Sequence, residues 1–133
     1  PTIVNNKGFS NEFEDKLTIP SCTLDSICEK FDHISLIKID TEGAELSTIK
    51  SGMRSLYKID SFVVGLFNPY TTSRFGYEAF DAANLLIENG FHNAYRISDG
   101  PKLSLCPLNM QNEKFDSTDY YLFSKLDIAS FDL

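Results

Sequence analysis

The sequence predicts an α/β fold in which a mostly parallel sheet carries helices on its faces and the last strand is free to run antiparallel. Three observations point there. Strand-like segments alternate with segments of helical periodicity along the 133 residues, the pattern of successive βαβ units. The run Phe62–Phe67 is apolar without alternation, as expected of a strand covered on both faces. The final strand-like segment, Thr118–Ser124, follows a loop instead of a helix, so no parallel crossover is imposed on it.

Each element has its own local signal. Residues 1–16 are polar and read as an arm or loop ahead of a single domain, with a short strand at Thr2–Val4. Leu17–Cys22 suits a short strand that Pro20 confines to an edge or an end. Thr23 or Asp25 can cap a helix whose apolar positions Leu24, Ile27, Cys28 and Phe31 recur at helical spacing. Ser35–Asp40 is the next strand. From Gly43 a longer helix is expected, with Leu46, Ile49, Met53 and Leu56 inward and Glu45, Lys50, Arg54 and Lys58 outward. After the strand Phe62–Phe67 comes a polar loop, Asn68–Gly76, and then a helix over Tyr77–Asn89 with Phe80, Ala83, Leu86 and Ile87 inward. Gly90 is its stop signal. Phe91–Ile97 is a strand closed by the turn Asp99-Gly100-Pro101, Leu103–Lys114 is irregular, and Thr118–Ser124 ends the sheet.

Composition narrows the function classes. Hydrophobic residues make up 42% and charged residues 23%, ordinary for a globular domain. A net charge of −7 with no Lys/Arg cluster argues against a nucleic-acid partner, which requires a basic face. No apolar run is long enough for a membrane span, and the polar N-terminal residues carry no signal-peptide core. Cys22, Cys28 and Cys106 form no regular framework, and His33 and His92 have no ligand-like spacing. Reduced thiols, a cytoplasmic setting and no metal site are the corresponding expectations.

The most informative stretch is Ile37-Lys38-Ile39-Asp40-Thr41-Glu42-Gly43-Ala44-Glu45, a strand that ends in acids and turns at glycine into a helix. In open α/β sheets, ligands collect at the carboxyl ends of strands. This stretch resembles the fourth-strand signature I-K-I-D-x-E-G-A-E of the FkbM-type methyltransferases, which are S-adenosylmethionine-dependent O-methyltransferases. Thr18-Ile19-Pro20 with Thr23-Leu24-Asp25 is similar to the family's V-P-x-x-x-L-D lead-in, and Gly52 to the glycine of its L-K-G-A helix. The resemblance spans roughly Leu17–Ser124. It implies a three-layer α/β/α Rossmann-like class I methyltransferase sheet with an antiparallel last strand beside the sixth. The glycine-rich donor turn of that family has no counterpart here, since the seven glycines are scattered. The chain therefore resembles the family's C-terminal half, from strand four onward, without the N-terminal strands: a fragment or a natural truncation, competent in catalysis only with its donor half. The edge of strand 35–40 would then be open to a missing N-terminal half or to a second copy, unless the N-terminal segment folds back to cover it.

Asp40 has two readings. Beside a methyl donor it would orient an acceptor hydroxyl or take its proton; otherwise it caps the following helix. Glu42, in the loop before Gly43, is the second catalytic candidate, whereas Glu45 suits a first helical turn whatever the chemistry. Two close carboxylates can hold Mg²⁺, but no third ligand is legible. Lys38, between two isoleucines, is expected to pair with Asp40 or another acid. Phe67-Asn68-Pro69-Tyr70 is superficially similar to the N-P-P-Y motif of amino-group methyltransferases, yet it has one proline fewer and follows the wrong strand. Asn68 and Tyr70 are instead expected in the loop that lines the acceptor pocket. FkbM relatives usually carry a glutamate in the strand of Phe62–Phe67, where this chain places Gly65. Tyr95, Tyr120 and Tyr121 read as packing residues, and His33 and His92 as surface or half-buried ones.

The resemblance implies transfer of a methyl group from S-adenosylmethionine to a hydroxyl of a small-molecule or sugar acceptor. The alternative is a catalytically inactive methyltransferase-like module that associates through its open sheet edge. A metal-dependent hydrolase, lacking histidine support, ranks last.

Overall fold

A computed structural model describes residues 18–65, 69–98, 104–109 and 119–128, with the backbone alone at Pro69 and Tyr70. The elements are α1 (Leu24–Cys28), β1 (Ile34–Ile39), α2 (Glu45–Lys50), a 3₁₀ turn (Leu56–Lys58), β2 (Ile59–Gly65), α3 (Pro69–Arg74), α4 (Ala79–Glu88), β3 (Asn93–Ser98), β4 (Ser104–Pro107) and β5 (Tyr120–Ser124). The strands form one sheet in the order β1-β2-β5-β3-β4.

The architecture is α/β, but the sheet is mixed. Only β1 and β2 pair in parallel; β2 with β5, β5 with β3 and β3 with β4 pair antiparallel. The expected mostly parallel sheet is corrected on this point, and the reason is β5. It inserts between β2 and β3, so that two of the pairings are antiparallel, and the pairing of β3 with β4 adds a third. β1, β2 and β3 still point the same way, and β5 is antiparallel to its neighbours as expected. The segment 104–107, read as irregular, is strand β4. Residues 18–22 form no strand. The expected strand Thr2–Val4 and the turn Asp99-Gly100-Pro101 lie outside the described residues.

The core gathers Cys28, Ile39, Ile49, Ile59, Phe62, Val64, Leu86, Phe91, Tyr121 and Phe123 around the central strands. Phe62 and Phe91 meet edge to face, with ring centroids 5.1 Å apart. In α4, Ala79, Ala82, Ala83 and Leu86 are buried. The Asp81 carboxylate accepts from the Glu78 amide at 2.9 Å, satisfying a donor that the helix start leaves open. Gly90 ends the segment at φ 99°.

The helix expected to run from Gly43 past Leu56 stops at Lys50. Tertiary contact stops it. Ser51 Oγ accepts from the Leu24 amide at 2.9 Å, and Ser51 O accepts from the Asp25 amide at 3.1 Å. A β-carbon on Gly52 would sit 2.6 Å from Leu24 Cδ2. The start of α1 thus abuts the end of α2. Met53, expected inward, is 41% exposed as a result. Thr23 caps α1, its hydroxyl accepting from the Ser26 amide at 3.2 Å. α1 buries Leu24 and Cys28 but leaves Ile27 exposed, and Phe31 beyond the helix is exposed too.

Candidate active site

Asp40 follows the last residue of β1. Ile39 pairs with Val64, so the next position across the sheet is Gly65, which pairs in turn with Tyr120. The row Asp40–Gly65–Tyr120 crosses three strands, and its two outer members are not neighbours. With strands about 4.8 Å apart, the outer backbones are roughly 10 Å apart. Tyr120 spans the gap: its hydroxyl donates to Asp40 Oδ2 at 3.0 Å. Glycine in the middle makes this reach possible. A β-carbon at position 65 would lie 2.4 Å from Tyr120 Cε1 and 3.1 Å from Asp40 Oδ1.

Lys38, two residues before Asp40 and on the same face, donates to the same oxygen, Nζ to Oδ2 3.1 Å. Its ammonium also lies 4.8 Å from the centroid of the Tyr120 ring. The hydrogen bond to Asp40 raises the Lys38 pKa above its ordinary value; partial burial opposes it, and Tyr120 adds to it. The lysine pairs as the sequence indicated. Both donors fall on Oδ2, so Oδ1 accepts no hydrogen bond among the described residues.

Asp40 does not cap α2. The N-cap position is Ala44, without a side-chain bond. Glu45 satisfies the turn instead, and it is fully buried where an outward position was expected. Its Oε1 accepts from the Thr41 amide, the Thr41 hydroxyl and the Gly43 amide, each at 3.1 Å. The Tyr77 hydroxyl lies 3.0 Å from Oε2 and 2.8 Å from the Gly43 carbonyl, and it accepts from the Leu46 amide. Burial, and then the Glu45 charge, drives the Tyr77 phenol well above its usual range. Gly43 sits at φ 110°, and a β-carbon there would lie 2.8 Å from the Thr71 carbonyl oxygen, so α3 packs directly on the turn.

Glu42 is exposed and takes no hydrogen bond or ion pair among the described residues. Its φ of 53° is left-handed, unusual for a residue with a β-carbon. The structure therefore brings Asp40 together with Lys38 and Tyr120, and leaves Glu42 on the adjoining turn. Asn68 and the side chain of Tyr70 lie outside the described residues. The backbone of Pro69–Arg74 is the helix α3, not the loop expected there.

A groove of about 650 Å³ runs along β1. Ile27, Phe31, Leu36, Lys38, Asp40 and Thr41 are among the residues that line it. Among the described residues β1 has one neighbour, β2. His33 pairs with Asp60 at 2.8 Å, His92 is exposed, and the three cysteines are free. No group of three or more metal-ligating side chains occurs among the described residues, and no helix there is long and apolar enough to cross a membrane.

Tyr120 is the site residue that pattern reading missed. The available signal was Gly65, because an isolated glycine in an apolar strand marks close approach of another group.

The model of the methyltransferase FkbM domain matches residues 3–122. The match begins upstream of Leu17, where the motif resemblance starts, and so includes most of the N-terminal arm. No curated protein and no solved structure matches the chain.

Proposed function

The chain belongs to the FkbM methyltransferase family, and from that premise we propose that it takes part in S-adenosylmethionine-dependent O-methylation of a small-molecule or sugar hydroxyl, with Asp40 as the group that meets the acceptor. The observation that carries this reading is Asp40 itself. It is a carboxylate at the carboxyl end of a strand, held on Oδ2 by two donors and with no hydrogen bond to Oδ1 among the described residues. A hydroxyl donating to Oδ1 would be oriented with its oxygen lone pairs outward and would give up its proton to the carboxylate as the new C–O bond forms and the methyl–sulfur bond breaks, the electron pair leaving on the thioether sulfur.

The donor, when bound, supplies an electrophilic methyl group on a sulfonium. The groove along β1 suits it in kind: about 650 Å³ is within the usual range for such sites. Its lining is apolar at Ile27, Phe31 and Leu36, and Asp40 is part of it. Ile27 and Phe31 would face the flat, apolar part of the molecule and exclude water. Glu42, at its left-handed turn, is the second carboxylate within this reading, and Asn68 and Tyr70 are proposed to contact the acceptor.

Calorimetric titration of the purified chain with S-adenosylmethionine and S-adenosylhomocysteine tests the cofactor. Saturable uptake of both supports the reading. A folded chain that takes up neither contradicts it for this chain.

A second reading is favoured by β1, which has a single strand neighbour among the described residues. Leu36, 54% exposed, is an apolar side chain on that strand, and strands with one neighbour can pair with another chain. In this reading the chain acts by association through β1, with a second copy or with another half of the fold. Sedimentation that shows only monomer across a hundredfold concentration range removes the self-association form of it.

A further inference from the structure

We infer that Tyr120 is a positioning residue for Asp40, and that Gly65 is bare so that the phenol can reach it. This deepens the proposed function and rests on it for its kinetic part. Tyr120 lies on β5 and Asp40 at the end of β1, with β2 between them. Groups two strands apart do not meet by register alone. They meet here because the intervening residue has no side chain and the tyrosine ring occupies that space, 2.4 Å from where a β-carbon would lie.

The contact has a directional consequence. Lys38 and Tyr120 both hold Oδ2, and the lysine also lies over the tyrosine ring. Lysine alone is a point charge on a flexible stem and fixes charge more than direction. The phenol is a single donor on a rigid ring, and that ring is confined between Gly65 and Lys38. Tyr120 thus sets the rotation of the Asp40 carboxyl, turning Oδ2 to the two donors and leaving Oδ1 without a hydrogen bond among the described residues. The side chain of Asp40 is about 30% exposed, so without Tyr120 the carboxyl is free to turn and be solvated on both oxygens.

Tyr120→Phe keeps the ring over Gly65 and beneath Lys38 and removes only the hydroxyl. The first readout needs no activity: the ¹³Cγ resonance of Asp40, assigned by its loss in Asp40→Asn, should move in Tyr120→Phe at fixed pH, while the Glu45 carboxyl resonance stays in place. An unmoved Asp40 resonance in a folded variant overturns the inference, whatever the protein's reaction. The second readout is kinetic. With S-adenosylmethionine and an accepted hydroxyl compound, Tyr120→Phe should lower kcat on the order of tenfold with KM for both substrates unchanged. The double variant Asp40→Asn/Tyr120→Phe should be no slower than Asp40→Asn alone. Fully additive losses overturn the inference. A moved resonance in a protein without methyl transfer keeps the positioning contact and removes the proposed function instead.

Discussion

The ring of Tyr120 lies over the backbone of Gly65 so closely that the two positions are a matched pair: any β-carbon at 65 meets the ring edge at 2.4 Å. Gly65→Ala should therefore destabilise the fold by about 1–3 kcal/mol through overpacking, although alanine suits a strand better than glycine. Urea unfolding of Gly65→Ala, Tyr120→Ser and the double variant checks this. The double variant should be more stable than the sum of the single effects, because the serine frees the space. Additive effects would show that the ring and residue 65 do not compete.

Glu45 organises the strand-to-helix turn from a fully buried position. Removing its carboxylate leaves the Gly43 amide without its acceptor and takes the partner from Thr41 and Tyr77. Glu45→Ala should cost about 3 kcal/mol or more in equilibrium unfolding, given 1–3 kcal/mol for each unsatisfied buried group. A loss under about 0.5 kcal/mol would mean that the turn holds by other means.

Glu42 is held at φ 53°, a conformation that glycine adopts without strain. Glu42→Gly should leave stability unchanged or raise it slightly, by about 0.5 kcal/mol, the released strain outweighing the added chain entropy. Strain of this kind persists most often at functional sites. If Glu42 serves the reaction, the same variant loses activity while its unfolding midpoint holds or rises. A lower midpoint would place Glu42 among the structural residues.

Stability should fall at alkaline pH for two reasons that share one sign. Lys38 has a raised pKa through its hydrogen bond to Asp40, and Tyr77 has a raised pKa through burial. A group whose folded pKa exceeds its unfolded value contributes fully below the unfolded value and loses that contribution as pH rises through the folded one. The window opens at about pH 10, near the unfolded values of both residues. Thermal melts between pH 8 and pH 11 should show a declining midpoint, with a shallower decline in Tyr77→Phe and in Lys38→Met. An unchanged slope in both variants would contradict the assignment.

The legible parts of the sequence were those decided locally. β2 follows from the apolar run Phe62–Phe67, β1 from the apolar residues around Lys38, and α4 from its stripe and its Gly90 stop, while the antiparallel last strand beside the sixth was implied by the family resemblance. The Lys38–Asp40 pair also follows locally, from two-residue strand spacing. The remainder depended on residues far apart in sequence. Nothing near Glu45 reveals burial, because its need is set by Tyr77, 32 positions away. α2 ends where Leu24 meets Gly52, a contact between helices that periodicity cannot see. Tyr120 read as packing because its partner lies 80 positions upstream and two strands away.

The central claim is that Asp40 meets a hydroxyl acceptor in a methyl transfer. Its most direct test uses tritiated S-adenosylmethionine with a panel of methyl glycosides, polyols and primary amines, comparing the native protein with Asp40→Asn and identifying products by mass spectrometry. The account predicts label in O-methyl ethers only, at a rate about 10²-fold or more lower in a folded Asp40→Asn. Label on the amines, or an undiminished rate in Asp40→Asn, would contradict it.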